Sequence, residues 1–436
     1  MSQLKAGFSQ VDITPPLGVE LCGYGPYAQR KAEEVLEKLY ARTCVLRLGG
    51  TRLALVELDI IGIRREMTAD IRRRVTATTG IPGKNVMLCC THTHSGPATV
   101  PYIGWGEPAP KYLRRLPGLV AKGIEKAAAD VRPAQVRYGE SQITGMSFNR
   151  VSDRRHVDKR LVVLRIDVEG ETAGFLAHTS IHPVALGPSS HYICGDFAGL
   201  AINAVAEEFP GAVGLFVQGA CGDINVNENC LPMPEGLAAL RKHADLFAGS
   251  VRRALKKARP LRVDRLAARL KAITLPQVPT DVSEAVLMFY AGQIMASRVQ
   301  SPDIVHRRGL FFQDAYRAVM EKIRRGDRPG LKTEIQGFAV GDLLVLAQPS
   351  ELYFTFYEKL RRGLRGRKVI FAGYTNDSVG YIPPASAFEV ERLPAPGFSQ
   401  YAPFFSPIMF GEYRYRKDVG DVLVTRELSL AESLTE

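Results

Sequence analysis

Apolar positions recur along the chain with two periods, and they alternate. Arg42–Leu48 and Arg52–Asp59 carry dense hydrophobic runs on either side of Gly49-Gly50, which predicts a hairpin. Arg64–Thr79 has helical spacing and is followed by Gly80, a helix stop. Asn85–Thr91 is short and almost wholly apolar, as in a buried strand, and Lys111–Asp130 returns to the helical period. Strands are predicted at Val136–Gly139, Leu161–Val168, Ala173–Ile181 and Gly214–Gln218, with a helix over Asp196–Glu208. Helices near 235–258 and 307–325 follow. Then come strands within Gly337–Ala347, a helix at about 352–363 and a strand at Lys368–Gly373. Such alternation predicts an α/β protein. The stretch 276–330 lies between strand-rich regions and bears no motif, which marks it as a candidate insertion or cap.

With 46% hydrophobic and 23% charged residues over 436 positions, disorder, collagen and coiled coil fall away, and no apolar run approaches a membrane span. The length admits two or three lobes, but a single domain over 1–436 is the reading adopted. The first residues lack a basic stretch followed by an apolar one, so no secretory signal is read. The seven cysteines are odd in number and irregularly spaced, with no Cys-x-x-Cys. Free, mostly buried thiols in a cytoplasmic protein are expected.

A formal charge of +12 comes partly from Arg72-Arg73-Arg74, from Arg252, Arg253, Lys256 and Lys257, and from Arg361 through Lys368. Solvated helix faces account for such clusters in the first instance. A small, anionic substrate is compatible with the charge. Nucleic acid is not expected, because no recognition motif or aromatic ladder accompanies it.

Histidine is scarce, at eight residues, so its placement is informative. His92 and His94 follow an apolar strand in Thr91-His92-Thr93-His94-Ser95-Gly96-Pro97. Two imidazoles at i and i+2 on extended backbone project to one side, where they suit a shared metal or a metal and a proton carrier. His178 and His182 lie four apart on a stretch read as extended and are therefore expected on one face. Asp196 lies at an expected helix start, where an N-cap and a functional role are both open. Asp223 follows a buried strand, where α/β active-site loops gather. Glu351 and Tyr381 each follow a strand and look unremarkable alone.

Taken in order, these segments resemble the neutral ceramidase family, specifically the catalytic domain of the neutral/alkaline non-lysosomal ceramidases. The resemblance is carried by Val11 through Pro16, Leu21 through Gly25, Thr91 through Pro97 and Phe148-Asn149-Arg150. It continues through Ser180 to Pro183, Gly195-Asp196, Gln218 through Asp223, Pro349-Ser350-Glu351 and Thr375 through Tyr381. It implies mixed β-sheets flanked by helices and one Zn2+ per chain held by His92, His182, Glu351 and Tyr381. His94 and Arg150 would line the reacting carbonyl, beside Asp223 and Asn225. The implied reaction is attack of metal-activated water on an amide carbonyl; with the departures below, the expected substrate is small and soluble, with esters or lactones as near variants.

Three departures qualify the resemblance. Asn225 stands where the family has serine, Leu393 stands where it has a second tyrosine, and the family's C-terminal immunoglobulin-like domain is not seen. Rival readings are a TIM-barrel amidohydrolase using His178, His182 and Asp377, a metallo-β-lactamase, and an inactive metal-binding scaffold. The oligomeric state is not legible.

Overall fold

The structure, a computed structural model, describes residues 3–278, 302–389 and 401–436. Part of the expected insertion (279–301) and Leu393 lie outside the described residues.

Two sheets stack face to face between layers of helices. The larger runs, in spatial order, through Val213–Gln218, Glu171–Thr179, Arg160–Val168, Arg132–Gln142, Lys5–Asp12, Tyr40–Leu48, Thr51–Leu58 and Val86–Cys90. Its interior pairs are antiparallel, but both ends are parallel: Val213–Gln218 on Glu171–Thr179, and Val86–Cys90 on Thr51–Leu58. The second sheet orders Leu266–Leu275, Leu331–Val340, Leu343–Ala347 and Lys368–Ala372, and its last pair is parallel as well.

Alternation along each strand sorts side chains between layers. In Val213–Gln218, Val213, Leu215 and Val217 enter the core between the sheets, where they join Phe338, Val345 and Ile370. Phe216 faces the other way, onto helices Asp196–Ala206 and Glu235–Lys257. Helices Arg65–Thr79 and Pro110–Ala129 cover the other half of that outer face through Ile71, Val75, Leu116, Val120 and Ile124. Gly80, with φ 67°, ends the first of these and donates to the Thr76 carbonyl at 3.0 Å. The C-terminal helix Val419–Thr435 covers the outer face of the second sheet with Ala431 and Leu434.

The α/β expectation of mixed sheets flanked by helices therefore holds. A TIM barrel does not, because the two large sheets are open and mixed. Strand Leu266–Leu275 and helix Val419–Thr435 have no counterpart in the sequence reading. The strand is half-exposed, interleaves Arg269, Lys271 and Thr274 with small and apolar residues, and pairs along one edge only, with Leu331–Val340.

Candidate metal centre

The three parallel pairs within the two large sheets deliver their C-terminal ends to one place. Within each pair, the two loops divide the work. Val86–Cys90 leads to His92, and its neighbour Thr51–Leu58 leads to Ile61, whose carbonyl lies 2.6 Å from His92 Nδ1. Glu171–Thr179 leads to His182, and its neighbour Val213–Gln218 leads to Cys221, whose carbonyl lies 3.0 Å from His182 Nδ1. Leu343–Ala347 leads to Glu351, which pairs in parallel register with Tyr381 beyond Lys368–Ala372. Register partners share a face, so the carboxylate and the phenol project together.

A backbone carbonyl can only accept, so Nδ1 of His92 and of His182 must carry the proton. That leaves the Nε2 lone pairs directed inward. His92 Nε2 stands 3.3 Å from His94 Nε2 and 3.3 Å from Glu351 Oε2, and His182 Nε2 is 3.7 Å from the same carboxylate oxygen. The donor atoms of His92, His94 and His182 all lie within 4.8 Å of one another. Each of these residues is buried, and no hydrogen bond reaches His182 Nε2 or Glu351 Oε2 among the described residues. Donors at about 2.0–2.1 Å from a tetrahedral zinc stand roughly 3.3–3.5 Å apart. The inward lone pairs of His92 and His182 and the unpartnered Glu351 oxygen, at that spacing, fit a cation.

Burial first, and then the neighbouring guanidiniums, push the pKa of His94 and His182 well below the ordinary imidazole value: Arg30 and Arg150 act on His94, and Arg150 acts on His182. Both rings are therefore neutral at pH 7. His94 groups with His92 and His182. Gly23 (φ 113°) makes room for it, since a Cβ there would fall 2.5 Å from the His94 ring.

Arg150 reaches the centre from the short strand Ser147–Asn149. Its Nη2 donates to the Gly222 carbonyl at 2.8 Å and to the Tyr381 hydroxyl at 3.0 Å. Asn149 shapes that turn, accepting from the amides of Val151 and Ser152 and donating to Asp223 Oδ2 at 2.7 Å. The other Asp223 oxygen accepts from the Phe354 amide at 2.8 Å, so this carboxylate ties loops together. Asn225 pairs in register with Phe148 and bridges to His182. It is buried, and its Oδ1 has no partner among the described residues.

Three other sequence expectations change. Strand Glu171–Thr179 ends before His182, so His178 and His182 do not share a face. His178 stays in the strand against Tyr357, its pKa pushed down to about 3 by burial. Asp196 is not an N-cap. It is the first helical residue, at φ 53°, and its carboxylate accepts from the amides of Ala185, Leu186 and Phe197. Asp377 accepts from Arg65 N, Ser378 N and Thr333 Oγ1, which commits it to the start of a helix.

Tyr374 was missed by the sequence reading. Its ring stacks on His92 at 4.1 Å between centroids, and its hydroxyl is 3.0 Å from Cys221 Sγ. One side chain thus braces both the His92 ring and the residue whose carbonyl orients His182. Its φ of 53°, with His92 and Asn376 also at positive φ, marks strained backbone around the cluster. Nothing in the local sequence signals this contact.

A family model described as neutral/alkaline non-lysosomal ceramidase, N-terminal, matches residues 4–232. A neutral ceramidase of Pseudomonas aeruginosa is 22% identical over 92% of this chain and 69% of its own length. A neutral ceramidase of Mycobacterium tuberculosis is 27% identical over 45% of this chain and 35% of its own. The crystal structure of the Pseudomonas aeruginosa neutral ceramidase superposes with a TM-score of 0.77 at 20% identity, covering all of this chain and 75% of that one; this likeness concerns the fold. The family model spans more than half of the sequence, and so the chain belongs to the neutral/alkaline non-lysosomal ceramidases, a family of amide-bond hydrolases.

Proposed function

We propose that His92, His182, Glu351 and Tyr381 hold one zinc ion, with His94 beside it, and that the chain hydrolyses the amide bond of a small N-acylated amine. The observation that carries this reading is the convergence of His92 Nε2 and His182 Nε2 on Glu351 Oε2 at 3.3 and 3.7 Å, with the His182 and Glu351 atoms lacking any hydrogen-bond partner among the described residues. When bound, zinc supplies Lewis acidity, which polarises a carbonyl and makes hydroxide accessible at neutral pH.

The remaining roles belong to the chain. The Ile61 and Cys221 carbonyls hold the two ligand imidazoles in the tautomer that presents Nε2. His94, neutral at pH 7, is the base placed to take up a proton and return it to the leaving amine. Arg150, held by Gly222 and Tyr381, offers positive charge to an oxygen developing negative charge. Asn225 has no hydroxyl and cannot act as a nucleophile. Its Oδ1 is a buried acceptor lacking a donor, a match for the N–H of an amide and for nothing in an ester or lactone. This favours amides over the oxygen-linked variants. The free state of all seven cysteines supports a reducing, cytoplasmic setting.

Elemental analysis of tag-free protein tests the metal: about one zinc per chain, lost in His182→Ala. A panel of N-acyl amines of graded chain length, with matched esters and a lactone, tests the substrate. Asn225→Ala is expected to lose far more turnover on amides than on esters. No tightly held metal after zinc supplementation would sink the proposal.

A further inference from the structure

The Arg361–Lys368 cluster has no part in the metal centre. Helix Phe354–Gly363 starts just after Glu351 and leads away from it, so its far end lies about 15 Å further along the axis. There a surface cavity of about 500 Å³ opens between that helix end, the segment leading to Lys368, and strands Arg132–Gln142 and Arg160–Val168. Its lining includes Arg160, Arg361, Arg362, Arg365, Arg367 and Lys368.

A solvated helix terminus explains only part of this. Arg361 and Arg362 fall in the last turn, where cations favour the helix dipole. Arg365, Arg367 and Lys368 lie beyond the helix, and Arg160 comes from a different sheet. The two carboxylates in the lining are already engaged: Glu358 with His156 at 2.8 Å, and Glu140 with Arg160 at 2.8 Å and with the Tyr138 hydroxyl. Among the described residues, no carboxylate pairs with Arg361, Arg362, Arg365, Arg367 or Lys368. Arg361 lies over the Tyr357 ring and near enough to Glu140 and Asp158 to favour their ionised forms, and Lys368 lies over the Tyr138 ring. Five like charges around one concavity repel one another, and an anion relieves that repulsion.

We propose that this cavity is a binding site for a ligand bearing several phosphate groups. Planar guanidinium forks pair with phosphate oxygens two at a time, and arginine supplies five of the six cations. The volume exceeds that of a single orthophosphate and suits a short run of phosphates. The Tyr138 ring is covered by Lys368, so the site offers charge rather than a stacking surface for a base. The same chemistry is presented by a free oligophosphate and by a polyphosphorylated inositol lipid headgroup.

The test uses the full chain and two probes at physiological salt: sodium tripolyphosphate by titration calorimetry, and phosphatidylcholine vesicles with or without phosphatidylinositol bisphosphate by flotation. Arg365→Gln/Arg367→Gln alters two exposed side chains outside the metal centre, and its metal content and turnover are expected to match wild type. Saturable tripolyphosphate binding, weakened about tenfold or more in the double variant, supports a soluble ligand. Capture only on the phosphoinositide vesicles, lost in the variant, supports a headgroup. Binding of neither probe overturns the proposal. So does binding that the double variant leaves unchanged, or that sulfate at matched ionic strength reproduces.

Discussion

Replacing Tyr374 separates bracing of the metal site from its chemistry, because this side chain touches the ligand histidines without being one of them. Tyr374→Phe removes only the hydroxyl, whose partner is the weakly hydrogen-bonding Cys221 thiol at 3.0 Å. It is expected to cost about 0.5–1.5 kcal/mol of stability and little metal affinity. Tyr374→Leu also removes the ring stacked at 4.1 Å on His92. The imidazole then keeps its Ile61 hydrogen bond but loses the surface that fixes its tilt. Loss of such an outer contact typically weakens metal binding 10–100-fold, or about 1.4–2.7 kcal/mol, over and above the packing loss. Competition against a chromophoric chelator reads zinc affinity directly, and urea unfolding of the metal-free protein reads packing separately. The leucine variant should lose affinity by that factor, with phenylalanine close to wild type. Equal zinc affinity in all three proteins would refute the bracing role, whatever their stabilities.

Three further outcomes are expected. Glu427 is fully buried with neither carboxyl oxygen hydrogen-bonded, and burial raises its pKa well above the ordinary 4.5. The folded state therefore retains a proton that the unfolded chain gives up. Stability is lost as pH rises from the unfolded pKa through the folded one, by about 1.4 kcal/mol per unit. Glu427→Leu should be more stable than wild type, with an advantage in urea unfolding that grows from pH 5 to pH 8; a constant or negative difference would contradict this. Arg42, buried between Glu57 (2.9 Å) and Asp59 (2.6 Å), leaves two unpaired buried carboxylates when changed to methionine. Arg42→Met should cost about 3–5 kcal/mol in the same assay and disturb the Ile61 loop that follows Asp59. Gly23→Ala places a Cβ 2.5 Å from the His94 ring at φ 113°. Roughly 1–3 kcal/mol of strain and near-complete loss of turnover are expected, with the circular dichroism spectrum unchanged.

Hydrophobic periodicity was enough to read the hairpin at Gly49-Gly50, the Gly80 stop and the buried strand ahead of His92, because each depends on a few adjacent residues. It failed at Leu266–Leu275, an edge strand whose composition reflects solvent on one side more than pairing on the other. It also placed His178 and His182 on one strand, where the backbone in fact leaves the sheet after Thr179. Side-chain chemistry was legible one motif at a time, and family order gathered His92, His182, Glu351 and Tyr381 into a single expectation.

The sequence by itself determined which residue types reach the loops after the strands, and through them the family and the class of bond attacked. Only the tertiary structure decided that the Ile61 and Cys221 carbonyls set the histidine tautomers, that Tyr374 braces the cluster, and that Asp196, Asp223 and Asp377 carry hydrogen bonds between loops. The reason is physical. A tautomer, a ring tilt or a few tenths of an ångström between donor atoms depends on how loops from three separate parallel strand pairs meet, and that meeting is set by the pairing and stacking of whole sheets.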